Sequence, residues 1–335
     1  MMDISSSMLP EIENELRSQV SRLDEENTLP FKEMLSYHMG WAGENAGPEA
    51  MGKRIRPLLL LLTTASCGMD WKAALPAAAA VELMHNFSLV HDDIQDNSPK
   101  RHGRPTVWMN WGIPMALNVG DALFAMANLA ITDLGNKFPA DKALAANQIL
   151  QRTCLDLTRG QFLDMSFEDQ KEVKVEDYWL MVTGKTASLL SACCHIGAVL
   201  GNVDEATEEA YRSFGHFLGL AFQVQDDILG IWGDEIVTGK SAASDLIERK
   251  KSLPVLVGLS KKGSFATLWN NQEITTDNVE EAAKLLASES AYTYTHDIAK
   301  QMTDLAINSL READPQGEAG DALMELADKL LHRSA

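Results

Sequence analysis

The sequence predicts an all-α fold, and three observations carry that expectation. Alanine, leucine, methionine and glutamate dominate the chain, apolar residues recur at three- and four-residue steps, and no region sustains the two-residue alternation of a strand. At 335 residues the chain has room for two average domains. Its charged motifs, however, lie in both halves and have to converge to act together. A single helical domain spanning residues 1–335 is therefore expected, with residues 1–8 flexible.

The elements follow in chain order. The opening MMDISSSMLP lacks the basic stretch and apolar core of a leader, and the longest aliphatic run, Leu58 to Leu62, falls far short of the roughly 20 apolar residues that cross a bilayer. No transmembrane segment and a cytoplasmic location are expected. That run follows the basic stretch Gly52-Lys53-Arg54-Ile55-Arg56-Pro57. Residues 74–96 read as one long helix: Val81, His85, Ser88, Asp92 and Asp96 keep helical steps, and Asn97, Ser98 and Pro99 suit its end. Gly184-Lys185-Thr186 opens another apolar segment without the glycine-rich lead of a nucleotide-binding loop. Residues 263–280 and 313–320 read as connections, and the helices after Asn278 as peripheral scaffold. Cys67, Cys154, Cys193 and Cys194 have no paired metal-ligand spacing and read as packed thiols. With 48 acidic against 29 basic residues the net charge is −19, which argues against nucleic acid or an anionic membrane as the main partner.

Two aspartate clusters stand out, Asp92, Asp93 and Asp96 in HDDIQD and Asp226 and Asp227 in QDDILG. Each lies in an otherwise apolar helical stretch, where adjacent carboxylates cost several kcal/mol per charge (order of magnitude) unless cations neutralise them. A hard cation with oxygen ligands answers that cost, and Mg²⁺ is the natural candidate. Asp92 and Asp96 are one turn apart, about 6 Å along the axis on one face, while Asp93 points about 100° away. Because Mg²⁺ takes one or two carboxylates and completes its shell with water or phosphate, the pattern points to a bound diphosphate. An exposed acidic face would give a similar pattern for one cluster alone.

Positive charge gathers beside these landmarks: Lys53, Arg54 and Arg56; Lys100, Arg101, His102 and Arg104; Lys185; then Lys240, Arg249, Lys250 and Lys251. Guanidinium forks and flexible ammonium groups complement phosphate oxygens, so the set suits two anionic substrates, one held through metal and one held directly.

In this order the motifs resemble the trans-isoprenyl diphosphate synthase (polyprenyl synthetase) family. The resemblance rests on Gly52-Lys53 with Arg56-Pro57, Glu82-Leu83-Met84-His85 leading to HDDIQD, then Arg101, Gly103 and Pro105-Thr106. It continues through Gly160-Gln161 with Asp164, Lys185-Thr186-Ala187, FQVQDD, Gly239-Lys240, Ser244-Asp245 and Lys250 before Leu253-Pro254. It implies an isoprenoid synthase-type helical bundle around a deep central cavity, with the two clusters facing each other across its mouth. It also implies a homodimer.

The implied chemistry is prenyl transfer. Mg²⁺, three ions per active site, held by Asp92, Asp96 and Asp226, draws off the diphosphate of an allylic substrate, with Asp93, Asp227 and Lys185 completing the catalytic set. Isopentenyl diphosphate attacks the allylic cation and loses a proton, giving a trans product five carbons longer. The family pattern gives Lys53, Arg56 and His85 to isopentenyl diphosphate and Arg101, Lys185 and Lys240 to the allylic diphosphate. Thr186 and Gln223 steady the reactive region, and Lys250 completes the substrate-binding set.

Two departures from the pattern appear. His102 stands where a second arginine is common, which makes isopentenyl diphosphate affinity sensitive to pH. Gly230 stands where the second cluster often has a third aspartate. For product length, Ser88 and Phe87 lie four and five residues before Asp92, about 6 to 7.5 Å deeper along the helix, with Met84 a further turn below. One bulky ring beside a small residue, with no insertion in the cluster, resembles geranylgeranyl diphosphate (C20) synthases. A class I terpene cyclase uses the same metal chemistry without a second diphosphate site, and a non-catalytic subunit of a heteromeric synthase shares the fold. Both stay open at the level of sequence.

Overall fold

The computed structural model describes residues 4–23, 25–233 and 243–331; Gly239 and the substrate-binding candidate Lys240 lie outside them. The chain is helical almost throughout, and among the described residues the strands are one two-residue pair, β1 (Lys100–Arg101) against β2 (Arg104–Pro105). The all-α expectation holds.

In order, the helices are α1 (Ile4–Val20), α2 (Leu29–His38), α3 (Pro48–Met51), α4 (Ile55–Ser66), α5 (Leu75–Gln95), α6 (Val107–Trp111), α7 (Ile113–Thr132), α8 (Ala140–Asp169), α9 (Val175–Val182), α10 (Ser188–Gly201) and α11 (Glu205–Trp232). Shorter helices at Ser244–Ile247, Leu253–Ser260, Ser264–Asn271 and Val279–Ser288 lead to two longer ones, Ala291–Ala313 and Gly317–Leu331. Prolines open α2, α5 and α7, where their missing N–H is not needed by the helix. Helix α5 closes on Asp96, whose N–H donates to the Asp92 carbonyl at 2.8 Å, and Asn97 follows at φ 50°.

The chain divides into two compact units. The first takes residues 1–154, 192–212 and 313–324, and the second takes 155–191, 213–312 and 325–335. In the first, α5 packs along α7 and is covered by α1 and α4. Leu58 to Leu62 of α4 and Ala77 to Met84 of α5 are buried, which explains their unbroken apolar runs. In the second, Tyr178, Val224, Leu253, Phe265 and Leu286 share one core.

Three expectations change. Residues 4–8, expected to be flexible, form the first turn of α1, and Met8 is fully buried. The supposed connection 263–280 holds the helix Ser264–Asn271, whose Phe265, Leu268 and Trp269 are buried at helical steps. The helices after Asn278 are more than peripheral scaffold, because Leu286 and Ala291 are fully buried and the Leu331 carbonyl accepts a hydrogen bond from Gln225 Nε2 at 2.6 Å.

The longest aliphatic run also understates the apolar helices. Trp71–Gln95 and Ile113–Asn136 are each long and apolar enough to cross a membrane. The first spends that character on the core. The second exposes Ile113, Met115, Leu117 and Leu129.

Candidate active site

The first aspartate cluster is built by the last turn of α5. Asp92 is half-buried, Asp96 is exposed at the C-cap one turn on, and Asp93 is turned into the protein at 3% exposure. Carbonyls at a helix C-terminus favour a cation, so the turn itself adds to the attraction of the two outward carboxylates. Asp93 is committed elsewhere: Arg101 grips it with Nε at 3.1 and 3.0 Å from the two oxygens and with Nη2 at 2.8 Å. Burial raises the Asp93 pKa, and the Arg101 fork opposes that rise. Arg101, expected at the allylic diphosphate, is thus anchored on the cluster itself by the β1–β2 hairpin.

Below it, Phe87 meets His91 edge-on at 5.0 Å between ring centres and Phe124 of α7 at 5.3 Å. His91 packs so closely on α7 that a Cβ on Gly120 would lie 2.2 Å from its Nε2. Met84 is fully buried. Phe124, which the sequence reading missed, joins Phe87 in this wall.

A group of basic side chains lies in the same unit. Arg54 enters α4 in the left-handed conformation at φ 49° and is buried, bonded to Glu13 at 2.6 Å and to Glu82 at 2.8 Å. Its role is structural, and Glu82 shares a second bond at 3.1 Å with Asn86. Arg56 differs, because its Nε is buried with no hydrogen-bond partner among the described residues. Burial lowers its pKa and the Glu82 carboxylate opposes that. His85 is held well below the ordinary imidazole range, first by burial and then by Arg56 and Arg101. His102, at φ 50° in the hairpin turn, is lowered by burial and by Arg101. Lys53 is exposed next to this group in sequence. The arrangement therefore brings cationic guanidinium groups and neutral imidazoles together with polar capacity to spare, which suits an anion.

The second cluster lies near the end of α11. Asp226 is half-buried, while Asp227 is buried and accepts from Tyr178 Oη at 2.7 Å, Gln223 Nε2 at 3.0 Å and the Leu253 N–H at 2.9 Å. Burial pushes Asp227 up to about 6 despite those donors. Gln223 also accepts from Thr186 Oγ1 at 2.9 Å, so the two residues expected to steady the site are joined.

Thr186 and Lys185 sit on a π-helical turn, Thr183–Ala187, between α9 and α10. Such turns are rare and concentrate at functional sites. This turn rests on α8, where a Cβ on Gly160 would lie 2.1 Å from the Lys185 nitrogen. Lys185 Nζ pairs with Asp164 of α8. Lys250 lies 3.5 Å from Asp245 and 3.0 Å from Glu248; burial works against its charge, but the two carboxylates outweigh that and hold it at about 12.

The missing third aspartate has a structural counterpart. A Cβ on Gly230 would lie 2.2 Å from Asp245 Oδ2, so the Asp245 carboxylate fills the space beside the glycine. Tyr178 and Asp245 had no assigned role in the sequence reading, since neither carries a local signal of what it touches.

Among the described residues no group of three or more His, Cys, Asp or Glu side chains gathers closely enough to hold a metal alone. Asp92 and Asp96, two carboxylates one turn apart, still suit a hard divalent cation that takes the rest of its shell from phosphate and water.

Within the first unit an acidic helix end is tied through Arg101 to a buried basic group, on an all-α scaffold suited to enzymes that transfer diphosphate-bearing prenyl groups. The chain belongs to the polyprenyl synthetase family, whose profile matches residues 45–288. It is 43% identical over 267 residues to the geranylgeranyl diphosphate synthase of Mycobacterium tuberculosis, covering 79% of this chain and 75% of that protein. It is 40% identical over 251 residues to a (2E,6E)-farnesyl diphosphate synthase of the same species, covering 74% and 68%. The crystal structure of polyprenyl synthase from Caulobacter crescentus, complexed with calcium and isoprenyl diphosphate, superposes with a TM-score of 0.81 at 28% identity, covering 100% of this chain and 98% of that one. The chain is a trans-prenyltransferase.

Proposed function

We propose that the enzyme condenses isopentenyl diphosphate with an allylic diphosphate and releases geranylgeranyl diphosphate, with residues 1–335 acting as one isoprenoid synthase domain. The observation that carries this reading is the buried basic group. A terpene cyclase needs no second diphosphate site, and a non-catalytic subunit has no use for an intact first cluster.

Asp92, Asp96 and Asp226 would hold Mg²⁺, three ions per site, which would supply Lewis-acid stabilisation of the departing diphosphate. The calcium and isoprenyl diphosphate bound by the C. crescentus enzyme support a divalent metal here. Lys185 and Arg101, with Lys240 and Lys250, orient the allylic diphosphate. Lys53, Arg56, His85 and His102 bind isopentenyl diphosphate and present its double bond. Asp93 and Asp227 act by holding their neighbours in place.

The C20 product follows from the wall at Phe87. Ser88 leaves room beside the ring, while Phe124 and His91 brace it, so the tail stops there. Relatives named for geranylgeranyl and for farnesyl diphosphate stand at similar identity, 43% and 40%, so the C20 reading rests on the residues around Phe87. Homodimerisation is part of the same proposal, and exposed apolar residues on α7, Ile113, Met115, Leu117 and Leu129, support it, Met115 also lining a groove of about 560 Å³ with Phe31, Met34 and Ala122.

The test is to supply isopentenyl diphosphate with dimethylallyl, geranyl or farnesyl diphosphate, with and without Mg²⁺, and to weigh the dephosphorylated products. A Mg²⁺-dependent C20 alcohol is expected, and Phe87→Ala is expected to lengthen it. Elongation to another length removes the assignment of the wall; no elongation, or a cyclic hydrocarbon from one diphosphate, removes the synthase reading.

A further inference from the structure

His38 is the last residue of α2, and the backbone around it is tied down from two directions. On one side Arg104 donates from Nη1 to the Tyr37 carbonyl at 3.0 Å and stacks 4.0 Å over the Tyr37 ring, while Tyr37 Oη donates to the Pro105 carbonyl at 2.8 Å. On the other, Arg54 donates to the Met39 carbonyl at 3.3 Å. The imidazole is thereby set among Arg54 ahead of α4, His85 and Asn86 of α5, and Arg101 and His102 of the hairpin.

Its Nε2 is buried and has no hydrogen-bond partner among the described residues. The Asn86 side chain lies beside the ring and favours its protonated form. Asn86 gives its own amide protons to Glu82, at 2.8 Å to the carbonyl and 3.1 Å to Oε1. Burial, Arg101 and Arg54 hold the ring at about 3, so it is neutral.

As a packing residue this is a poor choice, since a buried, unsatisfied polar atom destabilises the fold and an apolar ring of the same shape avoids that cost. Arg56 Nε, in the same basic group, is likewise buried and unpartnered. Two such atoms amid cationic side chains mark capacity kept for a ligand rich in oxygen acceptors.

We propose that His38 is a further substrate-binding residue, its Nε2 sharing one proton with a phosphate oxygen of isopentenyl diphosphate beside Arg56 and His85. The proposal rests on reading this pocket as the isopentenyl diphosphate site. The proton is taken from solvent on binding, and the trianionic diphosphate offsets the surrounding Arg54, Arg101 and Arg56 charges that keep the unbound ring neutral. No bond to carbon changes in this step.

Calorimetric titration of the metal-free protein with isopentenyl diphosphate, in buffers of different ionisation enthalpy, reads affinity and proton uptake together. His38→Phe keeps the ring's shape and is expected to weaken binding about tenfold and to remove roughly one proton of uptake. His38→Gln places an amide donor near Nε2 and is expected to recover most of the affinity without the uptake. If His38→Phe does not fold, His38→Gln decides alone, because unchanged proton uptake in it overturns the proposal. If His38→Phe binds like the wild type while Arg56→Ala fails to bind, His38 has no such role and the pocket stands. If neither variant loses affinity, the pocket is not the isopentenyl diphosphate site and the proposal falls with it.

Discussion

Asp93 and Asp227 hold the same position in their motifs, the second carboxylate of an Asp-Asp pair on an apolar helix, and they are buried alike at 3% and 5% exposure. Their partners differ in kind. Asp93 is gripped by the Arg101 guanidinium, a full positive charge supplied eight residues later by the hairpin. Asp227 is held by a phenol, an amide and a backbone N–H, all neutral. A guanidinium fork compensates a buried carboxylate by charge, whereas neutral donors compensate it by hydrogen bonding alone, which stabilises the anion less. The same sequence signature is therefore carried by two different electrostatic solutions, and the second leaves a carboxylate at about 6.

Within each pair, the comparison separates the carboxylate proposed to hold metal from the one committed to its protein neighbours. Asp92→Asn and Asp226→Asn are expected to lower kcat by about 10³-fold or more, equivalent to about 4 kcal/mol of transition-state stabilisation. Their thermal unfolding should stay close to that of the wild type. Asp93→Asn is expected to cost far less activity, through a loosened Arg101. Equal losses from Asp92 and Asp93 variants in steady-state assays would remove the division of roles.

Stability should show the opposite ranking. Asp227→Ala leaves the Tyr178 hydroxyl, the Gln223 amide and the Leu253 N–H without their acceptor in a buried site, and about 3 kcal/mol or more of destabilisation is expected. Asp93→Ala leaves Arg101, whose side chain is 30% exposed and open to water, so about 1–2 kcal/mol is expected. Chemical denaturation of the metal-free protein measures both, and the comparison breaks if Asp93→Ala is the more damaging.

The neutral cradle of Asp227 also has a pH signature. Its folded pKa, about 6, lies above the unfolded value of 3.8, so the folded state binds the extra proton between them. The stability this contributes is full below the unfolded value and is lost as pH rises to about 6. Asp227→Asn has no proton to lose. The stability gap between wild type and Asp227→Asn should therefore move in favour of the variant by about 2 kcal/mol from pH 4 to pH 7. A pH-independent gap, followed by denaturation in chelator, would show that the donors compensate Asp227 as fully as a cation would.

How far the sequence showed these features depended on whether a residue's reason was local. The aspartate clusters were legible because charge inside an apolar helix is anomalous wherever it occurs, and the one-turn spacing of Asp92 and Asp96 fixed which of the three shares a face. The depth of Phe87 below the cluster followed from rise per residue, and its place against the growing tail from the family resemblance. By contrast, Tyr178 looks like any core aromatic until Asp227 is set against it, 49 residues away in sequence. Arg54 read as one more cation of a basic stretch, yet Glu13 and Glu82 claim it. His38 had no motif at all, and only the atoms around it show a ring nitrogen with nothing to bond. The helix Ser264–Asn271 was missed because its glycine and asparagine flanks resemble a loop, and the buried triplet Phe265, Leu268 and Trp269 is too short a period to outweigh them.

Gly230 makes the smallest change in sequence and tests whether the second cluster has been rebuilt. If the glycine were simply a lost ligand, restoring the aspartate would be harmless or helpful. The geometry gives a different expectation, because the new Cβ would fall 2.2 Å from Asp245 Oδ2 and 2.5 Å from its Cγ. Asp245 is buried and lies 3.5 Å from Lys250, so its carboxylate cannot swing aside without exposing that pair or placing two carboxylates in contact. Gly230→Asp is expected to destabilise the protein by about 1–2 kcal/mol and to lower activity several-fold, and Gly230→Ala to do so to a lesser extent. Adding Asp245→Ala to Gly230→Asp should recover part of the stability, a coupling that a double-mutant cycle reads directly. Additive effects would mean that the two positions do not share the space, and that the second cluster works with one carboxylate fewer and not with one drawn from the segment after it.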